Sequence, residues 1–202
     1  IKWLNSTAIV AKIRKKETKL SVSFSRYFIV LLTLSFVMQF VVTLFETVFS
    51  IYGKNELEFN SSQVGIGFML CGSVMAALQP VFATYGEKIM TTKQQITVGL
   101  LITGISLVVF PFLRNELSVY GLIILFASGG AMVTPNLLSS VSLISKEDTG
   151  RNISIQSSTN SIGQILGPVL GTWLLAGGFY YPFIIAGSVV LIVIGLVYYL
   201  RQ

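Results

Sequence analysis

After residue 26 the chain is a succession of long apolar runs separated by short polar or glycine-containing turns. A helix needs about 17–25 predominantly apolar residues to cross the hydrocarbon core of a bilayer, where no backbone amide can be left unpaired. Six runs meet that length, at 27–51, 63–85, 96–113, 119–144, 153–176 and 179–200. The pattern therefore predicts an all-α integral membrane domain over 26–202, a bundle of six transmembrane helices. The fifth run is the least apolar of the set, because it opens on Ser, Asn and Gln. Residues 1–25 form a separate basic segment.

Composition agrees with this and narrows the chemistry. Apolar residues make up 53% of the 202 and charged residues 11%, with a mean hydropathy of +0.78. There is no His and a single Cys, so His-based triads, His-containing zinc sites and internal disulfides are excluded. One acid deep in a span cannot make a two-carboxylate centre either, so the chain is expected not to be an enzyme and to need no cofactor or metal.

The net charge of +6 comes from 14 Lys and Arg against 8 Asp and Glu, and the positions of the cations decide what it means. Lys2, Lys12, Arg14, Lys15, Lys16, Lys19, Arg26, Lys88, Lys93, Lys146, Arg151 and Arg201 fall on one side of the six runs. Lys54 and Arg114 alone fall on the other. Cytoplasmic loops retain Lys and Arg, so both termini are expected in the cytoplasm, with 1–25 as a basic cytoplasmic linker. Cations set between apolar runs are a topology signal rather than a nucleic-acid surface. Lipid is the expected neighbour, and Tyr52, Tyr85, Tyr180, Tyr181, Tyr198 and Tyr199 stand at the expected interfaces. The chain starts on Ile1 without a signal peptide, so it reads as the later part of a longer polypeptide.

Glu46 is the only charged residue well inside a run, and a charge at mid-bilayer costs about 2.5–3.5 kcal/mol on insertion scales. At helical offsets, Gln39, Thr43 and Ser50 fall on its face, while Val41, Leu44, Phe45 and Val48 fall opposite. The polar stripe is expected to face a bundle interior or an aqueous cavity, where Glu46 carries a proton or meets a cationic ligand. The competing reading is a carboxylate reaching to the outer interface, about five residues away.

Glycine and proline mark three further places. Gly163, Gly167 and Gly171 recur every fourth residue around Pro168, which clears one face for a close helix neighbour or provides a bend. Ahead of them, Gln156 and Asn160 share that face and are expected to line water or a ligand path, with polar contact between helices as the rival. The fourth run is expected to be interrupted at Ser128-Gly129-Gly130-Ala131 and at Thr134-Pro135-Asn136, a break tolerated in membranes only beside protein or a cavity. Cys71-Gly72-Ser73 and Gln79-Pro80 mark a similar softness in the second.

Six runs of this length, the basic lead-in, the Gly-x-x-x-Gly-Pro-x-x-Gly over 163–171 and Phe45-Glu46-Thr47 together resemble the second half of a major facilitator superfamily transporter, closest in kind to proton-coupled multidrug efflux pumps. The resemblance covers about 26 to 200. It implies one half of a twelve-helix protein in a bacterial cell membrane, working by alternating access with a missing N-terminal six-helix half. It implies export of amphipathic drugs in exchange for protons, with Glu46 as proton-coupling residue. Gln39, Thr43, Ser50, Gln156 and Asn160 are then the polar substrate lining, and Phe45, Phe49, Phe68 and Phe126 the aromatic contacts. Gly163, Gly167, Pro168, Gly171 and Pro135 form the conformational or packing motif. Glu87 and Lys88, in a decayed loop motif, are the candidate cytoplasmic latch. Such relatives carry an acid and an Arg in a Gly-Phe-Asp-Met-Ile-Arg-Pro segment, whereas this chain has Gly129-Gly-Ala-Met-Val-Thr-Pro135, without either charge. The alternatives are a facilitator for a sugar, metabolite or peptide, and a non-transporting six-span scaffold or half that needs a partner.

Overall fold

The computed structural model describes residues 25–145 and 148–197, with the side chain of Glu87 outside what is described. Among these residues the chain forms six α-helices: α1 (Arg26–Asn55), α2 (Ser61–Ile89), α3 (Thr92–Val109), α4 (Glu116–Ser142), α5 (Thr149–Leu175) and α6 (Tyr181–Val197), with a 3₁₀ turn at Phe110–Phe112. Four stretches, Arg26–Asn55, Ser61–Gly86, Thr92–Phe112 and Glu116–Ser142, are long and apolar enough to cross a membrane. The 27-residue α5 is long enough, but its polar first half keeps it out of that group, and α6 is apolar over 17 residues. The expected basic linker lies outside the described residues except for Ser25.

Polar residues between the runs start the helices. Asn60 caps α2 reciprocally with Gln63: the Gln63 amide donates to Asn60 Oδ1 and the Asn60 amide to Gln63 Oε1, both at 2.9 Å. Thr91 and Gln94 make the same box at α3, and Asn115 Oδ1 accepts from the Leu117 amide at α4. Each box satisfies two amides that a helix start would otherwise leave unpaired.

Inside lipid, helices do not associate by expelling water, so close packing has to hold them together. The most extensive contact is α1 against α5; α3 packs on α4 and α6, and α2 on α4. Gly163, Gly167 and Gly171 all face α1. A Cβ at Gly163 would sit 2.9 Å from the Phe36 carbonyl oxygen, and one at Gly167 would sit 2.6 Å from that of Phe40. Only glycine lets the two backbones come this near.

The fourth run is not interrupted. α4 is continuous from Glu116 to Ser142, through Gly129, Gly130 and Pro135, just as α2 runs unbroken through Gly72 and Pro80. The reason at α4 is again close approach. A Cβ on Gly129 would lie 2.7 Å from the Gly99 carbonyl oxygen of α3, and a Cβ on Gly99 would lie 2.7 Å from that of Gly129. These glycines join two helices rather than opening one.

An aromatic cluster fills the end of the bundle near the α1–α2 turn. Phe45 meets Phe126 at 4.4 Å between ring centroids and Phe110 at 5.3 Å, Phe110 stacks on Phe183 at 4.8 Å, and Tyr52 meets Phe183 at 5.1 Å. The Tyr52 hydroxyl donates to the Pro111 carbonyl at 3.1 Å, so even this buried polar tip is paired. Above it, Arg114 donates to the Glu56 carboxylate and carbonyl, both at 3.0 Å, and to the Tyr180 hydroxyl at 2.7 Å, tying three turns together.

Candidate functional site

The polar stripe on α1 is not the side that enters the bundle. Val41, Leu44, Phe45 and Val48 are buried, whereas Glu46 and Ser50 are exposed at the surface of the six-helix unit. Of the two expected settings, a bundle interior or an aqueous cavity, the interior is corrected for Glu46 and Ser50, while Gln39 lines a cavity. The apolar side of α1 supplies the core, because Phe110 of the 3₁₀ turn, Phe126 of α4 and Phe183 of α6 pack there. The stripe lies along a groove, with α5 on one flank and α2 and α4 on the other.

That groove deepens into a cavity of about 180 Å³, formed by Ser35, Met38, Gln39 and Val42 of α1, Met75 and Gln79 of α2, Thr134 and Leu137 of α4, and Gln156 and Asn160 of α5. Four carboxamides and two hydroxyls converge on it, and no charged residue does. Ser35, Gln39 and Val42 recur at three- and four-residue steps, and the next step is Glu46, about 6 Å further along the axis. On antiparallel α2 the matching row runs from Gln79 through Met75 to Cys71. The carboxylate thus stands one step beyond the cavity lining on the same row of α1. Among the described residues no cation pairs with it; the ion pairs are Arg114–Glu56 and Arg151–Asp148.

The hydrogen bonds fix part of this wall. Gln156 Nε2 donates to the Ser35 hydroxyl oxygen at 2.8 Å, a buried link between α5 and α1. Gln156 Oε1 and Asn160 Oδ1 are buried without a hydrogen-bond partner among the described residues. Unpaired buried acceptors are uncommon and each calls for an explanation.

The remaining expected residues are placed as follows. Thr43 sits in the α1–α5 seam, where its hydroxyl donates to the Gln39 carbonyl at 3.0 Å. Phe45, Phe49 and Phe126 are buried in the aromatic cluster, and Phe68, partly buried, packs edge-on against Phe49 at 5.5 Å; none of the four lines the cavity. In this conformation ring-to-ring packing occupies their faces. Gly163, Gly167 and Gly171 are buried against α1, Pro168 lies between them, and Pro135 adjoins the cavity residue Thr134. Lys88 stands over its own Tyr85 ring at 5.1 Å.

Ser35, Gln79 and Thr134 line the cavity without having been expected there. Ser35 was within reach of the sequence, one turn before Gln39 on the same face. Gln79 and Thr134 reach the cavity only through the packing of α2 and α4. A second polar cluster also went unforeseen: Asn136 Nδ2 donates to Gln95 Oε1 at 3.0 Å and to the Met132 carbonyl at 2.7 Å, while Gln95 Nε2 donates to the Met90 carbonyl at 3.1 Å. Both side chains are buried and the cluster ties α2, α3 and α4 together at one end. A wider groove of about 900 Å³ runs along Met90, Thr91, Lys93, Gln94, Thr97, Val98 and Val197, and none of the expected site residues lines it.

Comparison with known proteins fits this architecture. Over 175 residues the chain is 28% identical to Multidrug resistance protein 2 of Bacillus subtilis (strain 168), an alignment covering 84% of this chain and 42% of that protein. The chain thus spans less than half the length of this curated relative. The family model of the Major Facilitator Superfamily matches residues 27–202. With helices α1 to α6 falling almost entirely inside that match, the chain belongs to the Major Facilitator Superfamily.

Proposed function

We propose that this chain is one six-span half of a secondary active transporter that exports amphipathic drugs in exchange for protons by alternating access. In this reading α1 to α6 all cross a bacterial cell membrane, both termini are cytoplasmic, and a second six-helix half covers the groove. The observation that carries it is the row Ser35, Gln39, Val42, Glu46: three residues lining a polar cavity and, one helical step beyond them, an exposed carboxylate without a cation partner among the described residues. Gln39, Gln156 and Asn160 line the substrate path and Glu46 exchanges the proton. The name of the Bacillus relative favours drugs as substrates.

The energetics suit the task. One proton moving through 100 mV releases about 2.3 kcal/mol, and each pH unit adds about 1.4 kcal/mol. Together they support a gradient of several hundredfold for a neutral drug; for a monovalent cation exchanged against one proton the charges cancel, and each pH unit alone supports about tenfold. The test is proton-driven ethidium transport in inverted membrane vesicles, comparing wild type with Glu46→Gln. The expected result is loss of accumulation driven by the pH gradient. Undiminished accumulation in the variant removes Glu46 from the mechanism.

A facilitator for a polar metabolite is the second reading, and the uncharged, amide-rich lining is what favours it. It requires substrate movement that a protonophore and Glu46→Gln both leave unchanged.

A further inference from the structure

The cavity holds two acceptors that nothing described in the protein satisfies, Gln156 Oε1 and Asn160 Oδ1. They belong to residues one turn apart on the same face of α5. Gln156 is only 4% exposed; one N–H of its amide donates to the Ser35 hydroxyl at 2.8 Å, while its oxygen has no partner among the described residues. Leaving such an oxygen unpaired once a ligand has displaced solvent costs more than a made bond returns, so a ligand is selected by the donors it brings.

This half by itself encloses only part of a drug-sized ligand. About 180 Å³ is well below the roughly 300–1,000 Å³ typical of a site for a whole drug-sized molecule. It suits a head group, with the apolar body lying along the groove beside Val42 and Met75. An ammonium carrying hydrogens has up to three donors to share between two oxygens, and its charge strengthens each bond. A quaternary ammonium has none. Glu46, one helical step beyond the cavity lining on α1, favours positive charge in the groove over negative.

Building on the transporter reading above, we propose that this cavity is a head-group subsite selective for N–H-bearing amines, held by the Gln156 and Asn160 side-chain oxygens, over quaternary ammonium compounds of the same skeleton.

The experiment uses two matched probes, dansylcadaverine with a primary ammonium and its N,N,N-trimethyl derivative, titrated by dansyl fluorescence against the full-length purified protein in detergent. Binding is read directly, so the result stands apart from whether transport is proton-driven. The expected result is about tenfold tighter binding of the primary amine, the size of one buried hydrogen bond left unmade. Asn160→Leu, close in volume but without an acceptor, brings the two affinities together, and Asn160→Asp, which keeps an acceptor at that place, preserves the preference. Equal affinities in wild type, a preference that survives in Asn160→Leu, or no binding of either probe overturns the inference. Proton-independent transport with the preference intact overturns the coupling reading and leaves this one standing. Should Asn160→Leu fail to fold, Asn160→Asp and wild type still decide the matter, since both must favour the primary amine.

Discussion

Replacing Gly167 with Ala tests whether backbone approach between α1 and α5 holds this unit together. The added Cβ would lie 2.6 Å from the Phe40 carbonyl oxygen and 2.9 Å from the Leu44 amide nitrogen, both far inside the 3.4 Å of ordinary contact, and it would also meet the Thr43 hydroxyl. Two of these obstacles are backbone, so no rotamer change relieves them and α5 must move off α1. Overpacking of this kind costs about 1–3 kcal/mol. It works against the gain of about 0.5–1 kcal/mol that Gly→Ala brings to an unobstructed helix interior. Gly72→Ala in α2 is the matched control, because nothing lies within 4 Å of its Cβ. Melting of the full-length protein in detergent, followed by size-exclusion recovery after heating, is the assay. Gly167→Ala is expected to melt several degrees lower, and Gly72→Ala at or slightly above wild type. Equal melting of the two variants would refute the argument that these glycines are there for close contact.

Two further outcomes follow from the packing. Asn136→Leu strands the buried Gln95 Oε1 and is expected to cost about 1–3 kcal/mol, whereas the double variant with Gln95→Leu recovers part of that loss because both polar partners are gone; a strictly additive cycle in urea or thermal melts would count against a coupled pair. Phe45→Ala empties the centre of the aromatic cluster, and a loss of about 3–5 kcal/mol is expected, with Phe45→Leu recovering most of it; a wild-type melt for Phe45→Ala would mean the ring is not a core residue.

What the sequence made legible was whatever repeats along one helix. Apolar runs marked the helices to within a few residues, since the backbone's need for internal pairing leaves little freedom in lipid. Helical spacing also put Gln39, Thr43, Glu46 and Ser50 on one side of α1 correctly. It could not say which side of α1 the other helices cover. That choice depends on where Phe110, Phe126 and Phe183 arrive, from three other elements, and they arrive on the apolar side. The same blindness accounts for the aromatic residues: a phenylalanine at Phe45 or Phe126 looks alike as ligand contact or core until its neighbours are known. Glycine was misread at α4 and allowed for at α5 for a single reason. A small residue in a run shows that something comes close, and only the fold shows whether it is a neighbouring backbone or a bend.

Convergence is the property that no single run carries, and the cavity depends on it. Ser35, Gln79, Thr134 and Gln156 are each unexceptional polar residues in a membrane helix, of the kind that often serve as contacts between helices. Brought to one place by four helices together with Asn160, they leave the Gln156 and Asn160 oxygens without a partner among the described residues. The Gln95 and Asn136 cluster is the internal comparison. There the donors and acceptors close on one another, as expected of polar groups kept for structure. At Gln156 and Asn160 they do not close, and that difference is why the proposed subsite is placed in the α1–α5 cavity rather than at the Gln95 cluster.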